Sequence, residues 1–519
     1  MTRFLPLPAR WLLLAFVAAV RVAGNWLFFR LFGPYSSAGA DIWYFAGVAG
    51  GDERLFPLDP LSWLLWLGRG WPVETLFWGV LALGIVLHLA AVWLFFGLVR
   101  EIYRDEWAAL WAAAAFGCVS TGFLLCTGNF VHQLEAMPVM LLVMRTGVRW
   151  LREKTADGRR RFAWMLTGLI LLGLCMGPDT AFLLAAAVPA VVLWRFRDAA
   201  PAWRRWMIAG GVVVVAVGVW FSAREVAGAL VGNLAMKMRG IDLAAQQRLQ
   251  VGDLAPLSWG HLVSTYPWMI YLMGVAVFAA CWRGRVVEIC FLVMGALLAF
   301  TAVRFVFLLE WAWLVVFGWF LARVAPSFRA RQWMGGAVVA GLLLAAAGRG
   351  FECHCPSIIL RALAAARQAP QQALVWCNPS YGFVVKSWTG AEPTANIQRL
   401  EHNPEWMALA ALPSEKAIRE LKKKRVTHLL LTSHDYEERW VRGGDGRMQV
   451  EVRCSGGLQD PLSTLGPEAV KDTLVCQALA ATLPLPGMTL LFAGSDRNTG
   501  LKVVFYRVDG DSTFGENKD

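Results

Sequence analysis

The sequence predicts a polytopic α-helical membrane protein of about eleven transmembrane helices, followed by a soluble α/β domain. Three observations carry this prediction. Of 519 residues, 57% are hydrophobic and 17% charged, and mean hydropathy is +0.49, more apolar surface than a water-facing globule can hide. Trp occurs 27 times, a residue that settles at bilayer interfaces, where its ring is buried and its N–H stays wet. Long apolar runs also stop near residue 349, and a soluble composition follows. Disordered and fibrous classes are excluded. The net charge of +12 would suggest nucleic acid in a soluble protein. Here the basic residues sit in short loops between apolar runs, so the partner they imply is the membrane and not nucleic acid.

Runs of about 17–25 apolar residues can cross a bilayer. They fall at 11–32, 75–99, 107–127, 134–150, 162–177, 180–196, 206–222, 263–281, 287–303, 305–322 and 332–348. The first has no small-residue cleavage site and is expected to be an uncleaved anchor. Arg145, Arg149, Arg152, Lys154, Arg159, Arg160 and Arg161 crowd one loop. Arg195, Arg197, Arg204 and Arg205 crowd a second, and Arg323, Arg329 and Arg331 a third. The positive-inside rule puts these loops in the cytoplasm. Loops 33–73, 128–133 and 223–262, and everything after about 349, then lie outside, as expected for a multi-pass protein of a bacterial inner membrane.

The predicted domains are therefore a transmembrane part, 1–349, and an extracytoplasmic part, 350–519. In the latter, PSIILRALAAARQ and SEKAIRELKKKRV have the pattern of amphipathic helices. QALVW, THLLLTS, MTLLFAG and LKVVFYRV read as strands, the last two joined by the turn-rich SDRNTG. Five Cys fall here, and a Cys454–Cys476 disulfide is one pairing an oxidising compartment permits. Cys353-His354-Cys355 looks like half of a metal clip, without a second half at ligand spacing.

Candidate chemistry begins in the first outside loop. GADIWYFAG places Asp41 beside Trp43 and Tyr44, where a carboxylate could bind a divalent metal or activate an acceptor. The same residues also fit a solvated acid among interface aromatics. In the second outside loop, CTGNFVHQLEAMP, His132 and Glu135 share one helical face and could give two metal ligands. Glu135 could equally answer a helix dipole. CMGPDTAF makes a third outside turn. Arg304, in AFTAVRFVFLLEWAW, lies at headgroup depth, where its guanidinium suits a lipid phosphate, a pair with Glu310 or snorkelling. Trp376 and Tyr381 flank an Asn-Pro-Ser-Tyr-Gly turn, either as a binding surface or as packing against the membrane part.

In this order the segments resemble the GT-C membrane glycosyltransferases, most closely the catalytic subunit of oligosaccharyltransferases. DIWYF is similar to that family's early D-P-W-Y-type motif, and TGNFVHQLE stands where it carries an acidic pair. MGPDTAF matches its W-G-G-Y-x-F turn in placement, VRFVFLL its phosphate-binding Arg segment and WCNPSYGF its W-W-D-Y-G turn. Ser380 stands where the family's Asp reads the acceptor Ser/Thr, and His132 replaces an acid. The His-plus-Glu loop is also similar to that of the C-mannosyltransferases.

The resemblance implies a GT-C-like fold and transfer of a sugar or glycan from a polyisoprenyl-(di)phosphate donor to an extracytoplasmic protein, lipid or glycan acceptor. Asp41 would be catalytic and, with His132 and Glu135, would ligate Mg²⁺ or Mn²⁺. Arg304 would hold donor phosphate, and Trp376 and Tyr381 would meet the acceptor. A C-mannosyltransferase or cell-envelope glycosyltransferase is the alternative within enzymes. A transporter or an inactive membrane protein is the alternative outside them, although no internal repeat of the transporter kind is visible.

Overall fold

The computed structural model describes residues 7–39, 41–51, 60–118, 127–130, 132–175, 292, 306–323, 327–349, 351, 353–364, 373–378, 381–394, 409, 412–433, 437–442, 448–453, 473–480 and 485–509. The helical part contains α1 (Leu7–Phe32), α2 (Asp41–Gly50), α3 (Pro60–Trp66), α4 (Val73–Tyr103) and α5 (Glu106–Cys118). It continues with α6 (His132–Arg152), α7 (Ala156–Cys175), α8 (Val306–Arg323) and α9 (Phe328–Arg349). These helices occupy seven of the eleven expected spans. The expected spans 180–196, 206–222, 263–281 and, apart from residue 292, 287–303 lie outside the described residues. Among the described residues two helices, at Ala9–Phe32 and Val73–Tyr103, are long and apolar enough to cross a membrane by length and composition. The loop expected over 33–73 instead holds α2 and α3. Its DIWYF segment turns helical because Ile42, Trp43 and Phe45 are completely enclosed by neighbouring elements, a tertiary cause that local pattern does not record.

One end of the bundle is held by charge. The α4–α5 junction carries Glu101 in the last turn of α4, Asp105 in the linker and Glu106 at the start of α5, and basic side chains from four other helices reach it. Arg10 of α1 meets Glu106 at 2.6 Å, Arg149 of α6 meets Glu101 at 2.6 Å, and Arg331 of α9 meets Asp105 at 2.5 Å. Arg152 and, from α8, Arg323 donate to the carbonyls of Ile102 and Tyr103. Four of the five basic residues met here, Arg149, Arg152, Arg323 and Arg331, belong to the loops and helix ends that the charge pattern groups on one side.

Within the bundle, Arg21 of α1 is completely buried. Its guanidinium donates to Gly117 O of α5 at 2.5 Å and to His88 Nε2 of α4 at 3.1 Å. A charge at this depth is tolerated only when held by such partners, and the contact ties three helices together.

The C-terminal part contains α10 (Ser357–Ala364), β1 (Leu374–Trp376), α11 (Gly382–Thr389), β2 (Glu392–Pro393), α12 (Ser414–Lys423) and β3 (His428–Thr432). The β4 (Glu437–Arg442) and β5 (Met448–Arg453) strands pair as a separate antiparallel hairpin. They are followed by α13 (Leu474–Ala480), β6 (Met488–Ser495) and β7 (Lys502–Val508). The main sheet runs β2-β1-β3-β7-β6, parallel where β1 meets β2 and β3, and antiparallel at β3–β7 and β6–β7. The four strands expected from sequence are β1, β3, β6 and β7, and SDRNTG is the β6–β7 turn. There Asp496 Oδ1 accepts from the N–H groups of Asn498 and Thr499. The β2 strand and the β4–β5 hairpin were not expected. Residue Cys454 lies outside the described residues, so its pairing with Cys476 does too.

Candidate functional site

At the end of the bundle opposite the ion pairs, four segments distant in sequence meet. The chain leaves α1 through Gly33 and runs to Ser37, which forms an isolated antiparallel bridge with Cys355. Ser37 N–H donates to Cys355 O, and the N–H groups of His354 and Cys355 donate back to Ser37 O, all at 2.9 Å. The next residue, Ala38, donates to Gly128 O at 2.9 Å. Gly128 N–H in turn donates to Asn25 Oδ1 of α1 at 2.8 Å, while the Asn25 amide donates to Arg21 O. The two outside loops are thus joined to each other, to α1 and to the start of the C-terminal part. Gly128 has φ +61, and a side chain there would run into the ring of Phe28, so the approach requires glycine.

This joint decides where the candidate residues lie. Asp41 is the first residue of α2, two beyond Gly39, whose Cα lies against the Asn129 side chain. His132 is the first residue of α6, three beyond Asn129. One turn into α2, the Phe45 ring packs edge-on against Phe130 at 4.6 Å. The loops that lead into α2 and α6 are therefore joined, and Asp41 and Glu135 each lie in the first turn of the helix that follows its loop. Glu135 lies in the first turn of α6 and is 4% exposed. Its carboxylate is enclosed, whereas Asp41 keeps partial access to solvent. The position of Arg304 lies outside the described residues.

The C-terminal part closes over this joint through α11. Ser387 Oγ donates to Trp43 O at 2.9 Å, Trp388 packs on Trp43 and Tyr35 at 5.7 Å each, and Phe383 packs on Tyr44 at 5.0 Å. The Trp-Tyr pair after Asp41 is therefore the socket for a helix of the other domain.

Trp376 and Tyr381 are placed differently from an open turn surface. Trp376 is 1% exposed and packs with Leu429, Leu421 and Tyr506 in the core of the C-terminal part. Tyr381, also 1% exposed, stacks on His354 at 5.3 Å and donates to His354 O at 3.4 Å. It belongs to the seam between the two parts. Cys353 Sγ donates to Ser37 O at 3.6 Å. Burial, then the Asp496 charge, pushes the Cys353 thiol up to about 12, and burial with Cys353 nearby raises Cys355 well above the usual range. Both sulfurs are thus protonated at neutral pH. Among the described residues no three His, Cys, Asp or Glu side chains gather as a metal site. Asn25, Gly128 and Ser387 were not singled out from sequence. The first two work through backbone hydrogen bonds, and Ser387 looks like an ordinary helix residue.

No family model matches the sequence, and no curated protein matches it. Solved structures do. The archaeal oligosaccharyltransferase AglB from Archaeoglobus fulgidus, in complex with an inhibitory peptide and a dolichol-phosphate, superposes with a TM-score of 0.59 at 12% identity. That match covers 94% of this chain and 79% of the other. The A. fulgidus oligosaccharyltransferase tethered to an acceptor peptide containing the NVT sequon gives 0.61 at 12% identity, over 94% and 79%. The same enzyme with Zn and sulfate gives 0.58 at 13% identity, over 93% and 79%. At such identity the likeness is one of fold. The chain shares the overall fold of these archaeal oligosaccharyltransferase structures.

Proposed function

We propose that this protein is a membrane glycosyltransferase that moves a sugar or glycan from a polyisoprenyl-(di)phosphate donor to an acceptor on the side of its C-terminal part. One observation carries the reading. In an oligosaccharyltransferase fold, the Ala38–Gly128 and Phe45–Phe130 contacts join α2 and the loop before it to the loop that leads into α6, and Asp41, His132 and Glu135 open the helices on either side of that joint. A carboxylate with access to water and a second one that is enclosed suit an acceptor arriving from water and a donor arriving from the bilayer. Asp41 would take or orient the acceptor proton. Arg304 would answer the charge on the departing lipid phosphate.

Two carboxylates and an imidazole are the donor set of a hard or borderline divalent ion, so Asp41 and Glu135 would hold Mg²⁺ or Mn²⁺, with His132 alongside. Such an ion would neutralise charge that develops on the phosphate. Tyr381, packed in the seam, would act on acceptor use by holding α11 against the first outside loop, and Trp376 by holding the core behind it.

The decisive test is Asp41→Asn, which keeps shape and removes charge. Loss of a general base costs roughly 10²–10⁴-fold in turnover. In purified protein with a polyisoprenyl-phosphate sugar donor, transfer should fall by that factor at unchanged expression. Near-normal turnover would remove Asp41 from the mechanism.

A further inference from the structure

We infer that the groove between the halves of α1 and α4 nearest the C-terminal part binds one phosphate-headed bilayer lipid, its chain in the groove and its phosphate on Arg30. These are the two described helices long and apolar enough to cross a membrane. They leave between them a groove of about 530 Å³, within the size of specific small-molecule sites. Val22, Trp26, Leu81, Ala82 and Ile85 line its length. Trp26 and Val22 are 59% and 60% exposed, so the groove opens sideways, toward the position of the acyl chains.

The polar end is fixed by the fold. The Asn498 amide, in the β6–β7 turn, donates to Leu31 O. A water-facing turn thus reaches the residue after Arg30, which puts Arg30 at headgroup depth. Its guanidinium lies over the Trp26 ring at 5.1 Å. It forms no ion pair among the described residues, and no carboxylate lines the groove. An apolar trench that ends in a cation at the interface matches a lipid chain with an anionic phosphate.

Length selects the occupant. From Val22 to Arg30 the helix rises about 12 Å, close to one leaflet's share of a hydrocarbon core of about 30 Å. That fits an ordinary acyl chain and is far shorter than a polyisoprenyl tail. The groove also has Asn25 in its wall, whose Oδ1 holds Gly128. A seated lipid would brace the helix that clamps the outside loops.

The test is native mass spectrometry of the full chain, delipidated in detergent and titrated with phosphatidylglycerol or phosphatidylcholine. The wild-type protein should retain one phosphatidylglycerol. Ala82→Trp fills the groove at an exposed position and should abolish that binding, with its melting temperature in lipid-free detergent confirming that it folds. Arg30→Gln should weaken phosphatidylglycerol about fivefold, the worth of one arginine at an anionic surface, and should weaken phosphatidylcholine as well, since it carries the same phosphate. Equal phosphatidylglycerol binding by Arg30→Gln and wild type would overturn the assignment. So would one-for-one displacement by a polyisoprenyl phosphate, which would give the groove to the donor. Neither readout depends on transferase activity.

Discussion

The two ends of the helical bundle are built by different physics. At the α4–α5 junction, arginines from α1, α6 and α9 are paired with Glu101, Asp105 and Glu106. At the opposite end the clamp is built on backbone groups: Ser37 with Cys355, Ala38 with Gly128, and Gly128 N–H with the Asn25 side chain, packed round by Trp43, Trp388 and Phe130. Ion pairs that keep some solvent access are individually weak and tolerate replacement. A buried backbone clamp is exacting, since an N–H that loses its partner there is costly. The charged end thus has the character of an anchor, and the neutral end that of a site, where Asp41 and Glu135 stand.

The sharpest way to break this comparison is topological. The basic end should face the cytoplasm and the C-terminal part the outside, because basic loops resist translocation. A reporter fused after Asp519 should be all-or-none in its compartment, and one active only in the cytoplasm would invert the two ends. Next in size, Asn25→Ala strips the acceptor from Gly128 N–H and should destabilise by about 1–3 kcal/mol. Hydrogen exchange should speed up at Gly128 and Ala38 together, and unchanged exchange at Ala38 would mean the loops are not coupled. By contrast, Glu101→Gln at the charged end should cost about 1 kcal/mol or less, shrinking in high salt, with transfer intact. A loss of turnover there would erase the distinction between anchor and site.

The smallest effect concerns pH in the C-terminal part. Burial of His428, then the nearby Arg507 charge, holds its imidazole below the ordinary value. The unfolded chain therefore takes up a proton below about pH 6.5, while the folded one resists it. The contribution is complete above that pH and is lost as pH falls toward the folded value. Melting curves at pH 7.5 and 5.5 should show a drop that His428→Gln reduces, and an identical drop in the variant would acquit His428.

Much of the scaffold was legible in the sequence. Spans at 11–32 and 75–99 emerge as α1 and α4 because hydropathy over a bilayer's thickness is a one-dimensional signal. Strands such as THLLLTS and LKVVFYRV emerge because β-branched and aromatic runs bounded by turn residues need little context. The β4–β5 hairpin, EERWVR against MQVEVR, was missed although both strands alternate charged and apolar residues and the GGDG between them is a turn signal. Trp376 and Tyr381 show the limit differently. An aromatic beside a turn has the same spelling whether its ring faces solvent or a core, and here both rings are inside.

What the sequence determined by itself is a membrane chain with a sided charge pattern and a soluble end. These follow from composition and period, which are local sums over neighbouring residues. Only the tertiary structure decided that Asp41 begins a helix and that this helix packs against the loop before α6. Only it decided that Trp43 and Tyr44 receive α11. Those outcomes rest on hydrogen bonds between backbone groups 90 to more than 300 residues apart, Ala38 with Gly128 and Ser37 with Cys355. A backbone N–H is the same at every non-proline residue, so no residue type announces which carbonyl it will find.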